Sequence, residues 1–207
     1  METKEIAALI VVLLYLISAL RYCWQTVKGQ IRPVFATWLL FAVATGLSLA
    51  TYFSSEKHSA VSNIGNVCDA TATWSVFLVI SIFAKNKIWG FNRFEKRCLL
   101  AAGLIVIFWI FSREHVVANL LLQSLITVGY LPMIRSLWRT VGNTESFLAW
   151  SLCLIAVIVS IYPAAAGDDS LALTYVLRGL GCVSLTLLIM LRAELRSHKL
   201  TSLGKWR

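Results

Sequence analysis

Charged side chains are scarce in this chain. They make up 14% of its 207 residues, while apolar residues make up 58%. A soluble globular domain carries about 25% charged residues, so this chain has too few to cover a surface that faces water. The apolar stretches are continuous and lack the alternation of barrel strands, so helices must pair the backbone groups in hydrocarbon. The composition predicts an all-α integral membrane protein.

Other absences exclude particular kinds of chemistry. The 5 cysteines are scattered without a C-x-x-C pair, which indicates apolar packing and no disulfide or metal site. The 3 histidines lie in predicted loops or in the carboxyl-terminal tail, so we expect neither an enzyme nor a cofactor. The last apolar stretch has no lysine, which excludes a retinal Schiff base and therefore an opsin.

Seven apolar stretches have, or nearly have, the length of a transmembrane helix, which needs about 17–25 residues. They lie at 6–23, 34–53, 61–84, 98–112, 116–137, 147–166 and 170–191. The fourth stretch is the shortest. The loops between the stretches are short and leave no room for a second soluble domain.

The positions of Lys and Arg predict the orientation. With the amino terminus outside, 15 of the 19 basic residues fall in inner segments and 3 in outer ones, while Arg178 lies inside the seventh stretch. Basic residues concentrate in cytoplasmic loops, so we expect the amino terminus outside and the carboxyl terminus in the cytoplasm. This topology accounts for the net charge of +9 without nucleic acid as a partner.

The sequence also repeats itself. Residues 21–27 (RYCWQTV) are similar to residues 135–141 (RSLWRTV), and FATW at 35–38 is similar to FLAW at 147–150. Each pair lies where an odd-numbered span leads into the next one. The repeat predicts two parallel three-helix units joined by one linker helix, because units of the same orientation need such a crossing between them. The predicted parts are a first bundle (1–84), a loop and linker helix (85–115), a second bundle (116–192) and a basic cytoplasmic tail (193–207).

The inner end of the fifth span, Tyr130-Leu131-Pro132-Met133, resembles the PQ-loop superfamily, which includes the SWEET-type sugar carriers. The related nicotinamide riboside carriers share the same three-plus-one-plus-three plan. Met133 occupies the position of the family's glutamine, and the chain looks closest to small prokaryotic members. The resemblance implies a transporter whose substrate site lies between the bundles, lined mainly by spans 3 and 7. Pro132 is the expected hinge, since a proline removes one helical hydrogen bond.

Polar residues mark one face of the third span. Four of them are spaced by 3, 3 and 4 residues, which aligns them along a helix. These residues are Asn63, Asn66, Asp69 and Thr73. We predict that they contact the substrate.

The fifth and seventh spans carry further candidates for substrate contact. Asn119, Gln123 and Thr127 recur every four residues on the fifth span. Tyr175 and Arg178 lie in the outer half of the seventh.

Asp69 and Arg178 both lie about eight residues from the outer ends of their spans, so we expect them at one depth. A lone charge at mid-membrane costs about 2.5–3.5 kcal/mol on insertion scales, which pairing would relieve. Two alternatives stay open: the residues contact a polar substrate in a central cavity, or they form a buried ion pair that locks the bundles together.

The sequence therefore favours a transporter of small polar solutes that works by alternating access between two three-helix bundles. A seven-helix ligand sensor and an accessory membrane protein without transport are the alternatives. The expected partners are the lipid bilayer and a small polar solute, and self-association stays open. The short loops and compact length indicate a multi-pass protein of a prokaryotic cell membrane.

Overall fold

The computed structural model of the chain describes residues 2–55, 58–84, 91, 93–112 and 114–204. Within them the chain forms seven helices. They are α1 (Thr3–Lys28), α2 (Phe35–Phe53), α3 (Ile64–Phe83), α4 (Arg93–Ser112), α5 (His115–Arg139), α6 (Phe147–Ala166) and α7 (Ser170–Gly204). The predicted all-α fold is confirmed, and each predicted span coincides with one helix.

Six of the seven helices are long and apolar enough to cross a membrane. The exception is α4, because Glu95, Lys96 and Arg97 follow its first residues and leave a short apolar remainder. The apolar helices are those of a multi-pass membrane protein.

Local sequence explains where several helices begin and end. Glu2 and Glu5 form a reciprocal capping box at the start of α1, and Gly29 ends that helix with φ 70°, a left-handed conformation that suits glycine. Ser146 caps α6 by accepting a hydrogen bond from the backbone N–H of Ala149. Asp169 directly precedes α7 and caps it, because its carboxylate accepts the N–H of Ala172 at 2.9 Å.

The last helix is longer than predicted. The apolar stretch ends at residue 191, but α7 continues as one helix to Gly204. Residues 192–203 contain no proline or glycine, so nothing in them breaks the helix. The length of the apolar stretch therefore predicts the membrane crossing but is shorter than the helix that contains it. No break separates the predicted tail at 193–207 from the helix before it.

The contacts of α1–α3 correspond to those of α5–α7, and we call these two sets of three helices the helix groups. In the first group α3 packs between α1 and α2, and in the second α7 packs between α5 and α6. The groups meet through two equivalent contacts, α1 with α6 and α2 with α5. The remaining helix, α4, packs on α5 and touches α2. Exchanging the two groups therefore reproduces the same set of main contacts.

Close contacts between helices depend on small residues at two places. A Cβ on Gly129 of α5 would lie 3.0 Å from the Phe41 ring of α2, and one on Gly65 of α3 would lie 3.1 Å from Ser160 Oγ of α6. Glycine at these positions lets helices of opposite groups approach closely, as is common in membrane interfaces.

We call the end of the bundle where α1 begins the predicted outer end, and the opposite end the predicted inner end.

Candidate functional site

A cavity lies between the two groups of helices. About 750 Å³ within it is not filled by protein atoms, including the part that opens toward solvent, but only about 50 Å³ is wide enough for the centre of a water molecule. In this conformation the cavity therefore has room for a few waters, and a larger ligand needs the groups to move apart. Polar lining comes from Tyr15, Ser18, Tyr22, Asp69, Thr73, Tyr130, Cys153, Ser160, Tyr175 and Arg178, and the aromatic rings of Trp38, Phe41 and Trp150 complete the walls.

Asp69 and Arg178 both line this cavity, and Tyr175 lies between them. The Tyr175 hydroxyl donates a hydrogen bond of 2.5 Å to Asp69 Oδ2, joining α7 to α3. The guanidinium of Arg178 lies over the ring of Tyr175, with its central carbon 4.5 Å from the ring centroid, as in a cation–π contact. The two charged groups thus make no direct ion pair within the described part of the chain, and each contacts Tyr175.

Arg178 is only partly satisfied. Its Nε donates to Gln123 Oε1 at 2.9 Å, which joins α7 to α5 within one group of helices. Its Nη1 is buried and has no hydrogen-bond partner. A buried N–H of a cation without an acceptor costs free energy, so this nitrogen provides a ready contact for an oxygen atom of a ligand or a water molecule.

Gln123 continues into a polar network between α2 and α5. Its amide nitrogen donates to Ser48 Oγ and to Asn119 Oδ1, both at 3.0 Å. Asn119 in turn donates to the Ser48 carbonyl at 3.2 Å, and Asn66 donates to Ser48 Oγ at 3.3 Å. These buried amides lie behind the cavity wall. They hold the helices and position Arg178 instead of lining the space.

Apart from Thr127, the predicted substrate residues occupy three kinds of position. Asp69, Thr73, Tyr175 and Arg178 line the cavity. Asn66, Asn119 and Gln123 lie in the network behind it. Asn63 is buried just before α3, with its Oδ1 unpaired.

Thr127 lies on the outside of the helix group. Its side chain is exposed, and its hydroxyl donates to the carbonyl of Gln123 in its own helix. The spacing of four residues predicted one common face with Asn119 and Gln123. An α-helix repeats every 3.6 residues, so a row with that spacing drifts around the helix, and Thr127 falls beyond the cavity wall.

Pro132, the predicted hinge, is buried inside α5, and the helix continues on both sides of it. A second proline, Pro163, lies inside α6. Each lacks the N–H that would close a helical hydrogen bond, which gives each group one helix with a missing bond.

The predicted inner end of the cavity is closed by aromatic side chains around one acid. The Tyr22 hydroxyl of α1 donates to Glu145 Oε2 at 2.5 Å, and Trp38 Nε1 of α2 donates to the Tyr22 oxygen at 3.1 Å. Trp150 Nε1 of α6 points at the same Glu145 oxygen from 3.4 Å. Side chains of both helix groups therefore meet on this carboxyl group.

Glu145 itself lies in the connection between α5 and α6 and is only 4% exposed. Burial raises its pKa to about 7, against a smaller lowering by the donors Tyr22 and Trp150. Its second oxygen, Oε1, is buried without a partner. The carboxyl group is therefore poised to exchange a proton near neutral pH.

Sequence reasoning missed this cluster. Tryptophans near the ends of membrane helices are typical of the aromatic belt at the membrane interface, but Trp38 and Trp150 are both buried and line the cavity. Trp24 and Trp138 are exposed, as that belt requires. One signal was available: the two buried tryptophans are the corresponding positions of the internal repeat.

Hydrogen bonds also join separate segments at the predicted outer end. The Tyr52 hydroxyl of α2 donates to Asp169 at the start of α7 and accepts the Ser59 N–H at 2.8 Å. Lys4 of α1 donates to Ser62 Oγ at 2.8 Å. Beyond them lies an open hollow lined by Ser55, His58, Ser59, Ser62, Glu114, Val116, Gly167, Asp168, Asp169, Ser170 and Leu171.

The described residues contain no metal site. Among the described residues, no three His, Cys, Asp or Glu side chains form a group that could hold a metal ion. All five cysteines are free thiols. Arg113 and the side chain of His115, from the turn between α4 and α5, lie outside the described part of the chain, as do Trp89 and the side chain of Trp109.

The cavity thus brings one acid, one guanidinium cation and several aromatic rings together around a space for a few water molecules. No protein-family model, curated protein or solved structure matches this chain.

Proposed function

We propose that this chain is a membrane transporter of small polar solutes, in which α1–α3 rock against α5–α7 around the central cavity. The observation that carries this proposal is the cavity itself. It is lined from both groups, Asp69 and Arg178 both contribute to the lining, and one buried nitrogen of Arg178 has no partner. Intramembrane charges that face an interior space mark substrate pathways in membrane proteins.

The packing of the helices supports the two-bundle mechanism. The main contacts are the same when the groups α1–α3 and α5–α7 are exchanged, which is what two structural repeats of a transporter require. The linker position suits α4, whose exposed Leu104, Ile107 and Phe111 fit a lipid-facing helix. We include in the proposal that α4 makes the seventh crossing and that the amino terminus is outside.

The contacts of the two charges favour substrate binding over a structural lock. A lock requires that Asp69 and Arg178 neutralise each other directly. They contact Tyr175 and Gln123 instead, so each keeps part of its hydrogen-bonding capacity for a third molecule. The aromatic walls and the narrow space favour a small solute with an oxygen acceptor for Arg178 and a donor for Asp69.

The test is a thermal-stability screen of the purified chain against sugars, nucleosides, vitamin precursors and amino acids. A ligand at 100 times its Kd adds about 2.7 kcal/mol to the native state, which raises the melting temperature. We expect one chemical class to stabilise the parent and to lose its effect in Asp69→Asn and Arg178→Gln. Thr127→Val is the matched control, because this residue lies outside the cavity.

Uptake into proteoliposomes then separates the alternatives. Accumulation of the stabilising class supports the transporter. Binding without uptake would assign the cavity to a ligand sensor. If no class binds and both cavity variants merely unfold, the charges are structural, as the accessory-protein hypothesis requires.

A further inference from the structure

The inner end of the cavity is held closed by a single acidic side chain that no part of the proposed substrate site uses. Glu145 receives the hydroxyl of Tyr22 from the first helix group, and Tyr22 in turn receives the indole N–H of Trp38. A third bond, from the backbone N–H of Arg32 to the carbonyl of Thr144, ties the 1–2 connection to the same segment at 2.9 Å. Closure at this end therefore depends on the free energy of burying the Glu145 carboxyl group.

We propose that Glu145 is a proton-binding site that controls the inner end of the cavity. The protonated carboxyl holds this end closed, and its ionisation favours a hydrated, open end. We call Glu145 with its hydrogen-bond partners the latch. Its role in moving a solute rests on the function proposed above, and the proposal makes the proton a ligand of that transporter.

The geometry gives the direction of the effect. Glu145 Oε1 is buried with no partner, and burying an unpaired oxygen costs less when the group is neutral. The closed state binds the proton more tightly than an open, solvated state, since burial raises the pKa of Glu145 from its ordinary 4.5 to about 7. Low pH therefore stabilises closure. As the pH rises from about 4.5 to 7 the closed state loses this advantage, and above 7 no further change follows.

In the described part of the chain no charged group forms a hydrogen bond or ion pair with Glu145. Its carboxyl group bonds to Tyr22, which is titratable, and to Trp150, which is neutral, while Asn143 bonds to its backbone. Arg21 lies over the ring of Trp24, 5.0 Å from its centroid. The side chains of Arg32 and Arg139 are exposed.

Hydrogen–deuterium exchange of the full chain in lipid nanodiscs tests the latch without any substrate. Exchange is measured from pH 4.5 to 8.5 in peptides that cover 18–30 and 140–150, with rates corrected for the intrinsic pH dependence. We expect protection of both segments to fall on the order of a hundredfold up to about pH 7 and then to level off. Glu114→Gln, the same change in an exposed glutamate of the predicted outer end, should leave this profile unchanged.

Two variants decide the assignment to Glu145. Glu145→Gln, which stays neutral, should remain protected at every pH. Tyr22→Phe removes a donor that lowers the pKa of Glu145, so its levelling point should move to higher pH. Flat protection in the parent, or an unchanged pH profile in folded Glu145→Gln, would overturn the proposal. If Glu145→Gln fails to fold, an unshifted profile in Tyr22→Phe overturns it.

The outcome is independent of transport. A pH-dependent inner end in a chain that takes up no solute would support the latch and remove the transporter. Uptake by a chain with pH-independent protection would support the transporter and remove the latch.

Discussion

The two interfaces between the helix groups are equivalent in position but differ in chemistry. Between α2 and α5 the contact includes a buried amide network, in which Gln123 and Asn119 bond to Ser48. Between α1 and α6 it includes a small apolar cluster around Val11, Tyr15 and Ala156, together with the hydrogen bond from Ser18 to the Ala149 carbonyl. Residues of both interfaces line the cavity. Two interfaces that correspond in the internal repeat can therefore be held together by different interactions.

The physical reason is the solvent. When hydrogen bonds break inside a membrane, no water is present to bond the freed groups. Apolar surfaces that separate can contact lipid instead. Separation at the α2–α5 interface should therefore cost more than separation at the α1–α6 interface. The comparison predicts a fixed side and an opening side of the cavity.

Breaking the polar side should have the largest effect. Gln123→Leu removes the partners of Arg178, Ser48 and Asn119 at once, and we expect it to lower the free energy of unfolding by about 3 kcal/mol. Ser18→Ala is the matched change on the apolar side, where Ser18 donates to the Ala149 carbonyl at 2.8 Å. It should cost about 0.6 kcal/mol, the average for such bonds. Equal losses in reversible unfolding experiments would remove the contrast.

Close packing on the polar side gives a smaller effect. Gly129→Ala places a Cβ 3.0 Å from the Phe41 ring, so the ring or the helices must shift, at a cost of about 1 kcal/mol. Gly179→Ala is the control, because its Cβ would make an ordinary contact of 3.6 Å with Val157. We expect it to be neutral or slightly stabilising, since alanine favours a helix. Melting temperatures of the two variants in one detergent compare them directly.

The smallest effect should come from Thr127. Thr127→Val removes an exposed hydroxyl that bonds only within the helix group, so stability should change by less than about 0.5 kcal/mol. Ligand-induced stabilisation should equal that of the parent. A lost ligand response in this variant would mean that the cavity extends to the outer face of α5.

Most of the fold could be predicted from the sequence, because the apolar stretches and the positions of basic residues are local patterns. The predicted stretches match the helices, and Asp69, Thr73, Tyr175 and Arg178 do line one cavity. The two-bundle division, the orientation and the resemblance to PQ-loop carriers stay predictions.

Contacts between distant segments were beyond a reading of single helices. Glu145 lies in a short loop and looks like a solvated acid, until Tyr22 arrives from 123 residues away to bury it. In the same way Tyr175 lies between Asp69 and Arg178, which one of the two sequence-based alternatives pairs directly. Contacts of this kind depend on how the helices cross one another, which cannot be predicted from a local sequence pattern.

The length of α7 has a mechanical consequence. Its 35 residues extend about 52 Å, well beyond a hydrocarbon core of about 30 Å. From Arg178 in the cavity wall to Gly204 the helix runs as one rod of about 39 Å, so a tilt of about 10° at Arg178 moves its far end by about 7 Å. Along its way Arg192 stacks on Trp138 of α5, at 3.5 Å from the ring centroid. In the proposed rocking motion, α7 would convert a small displacement in the cavity into a larger one at its basic carboxyl-terminal end.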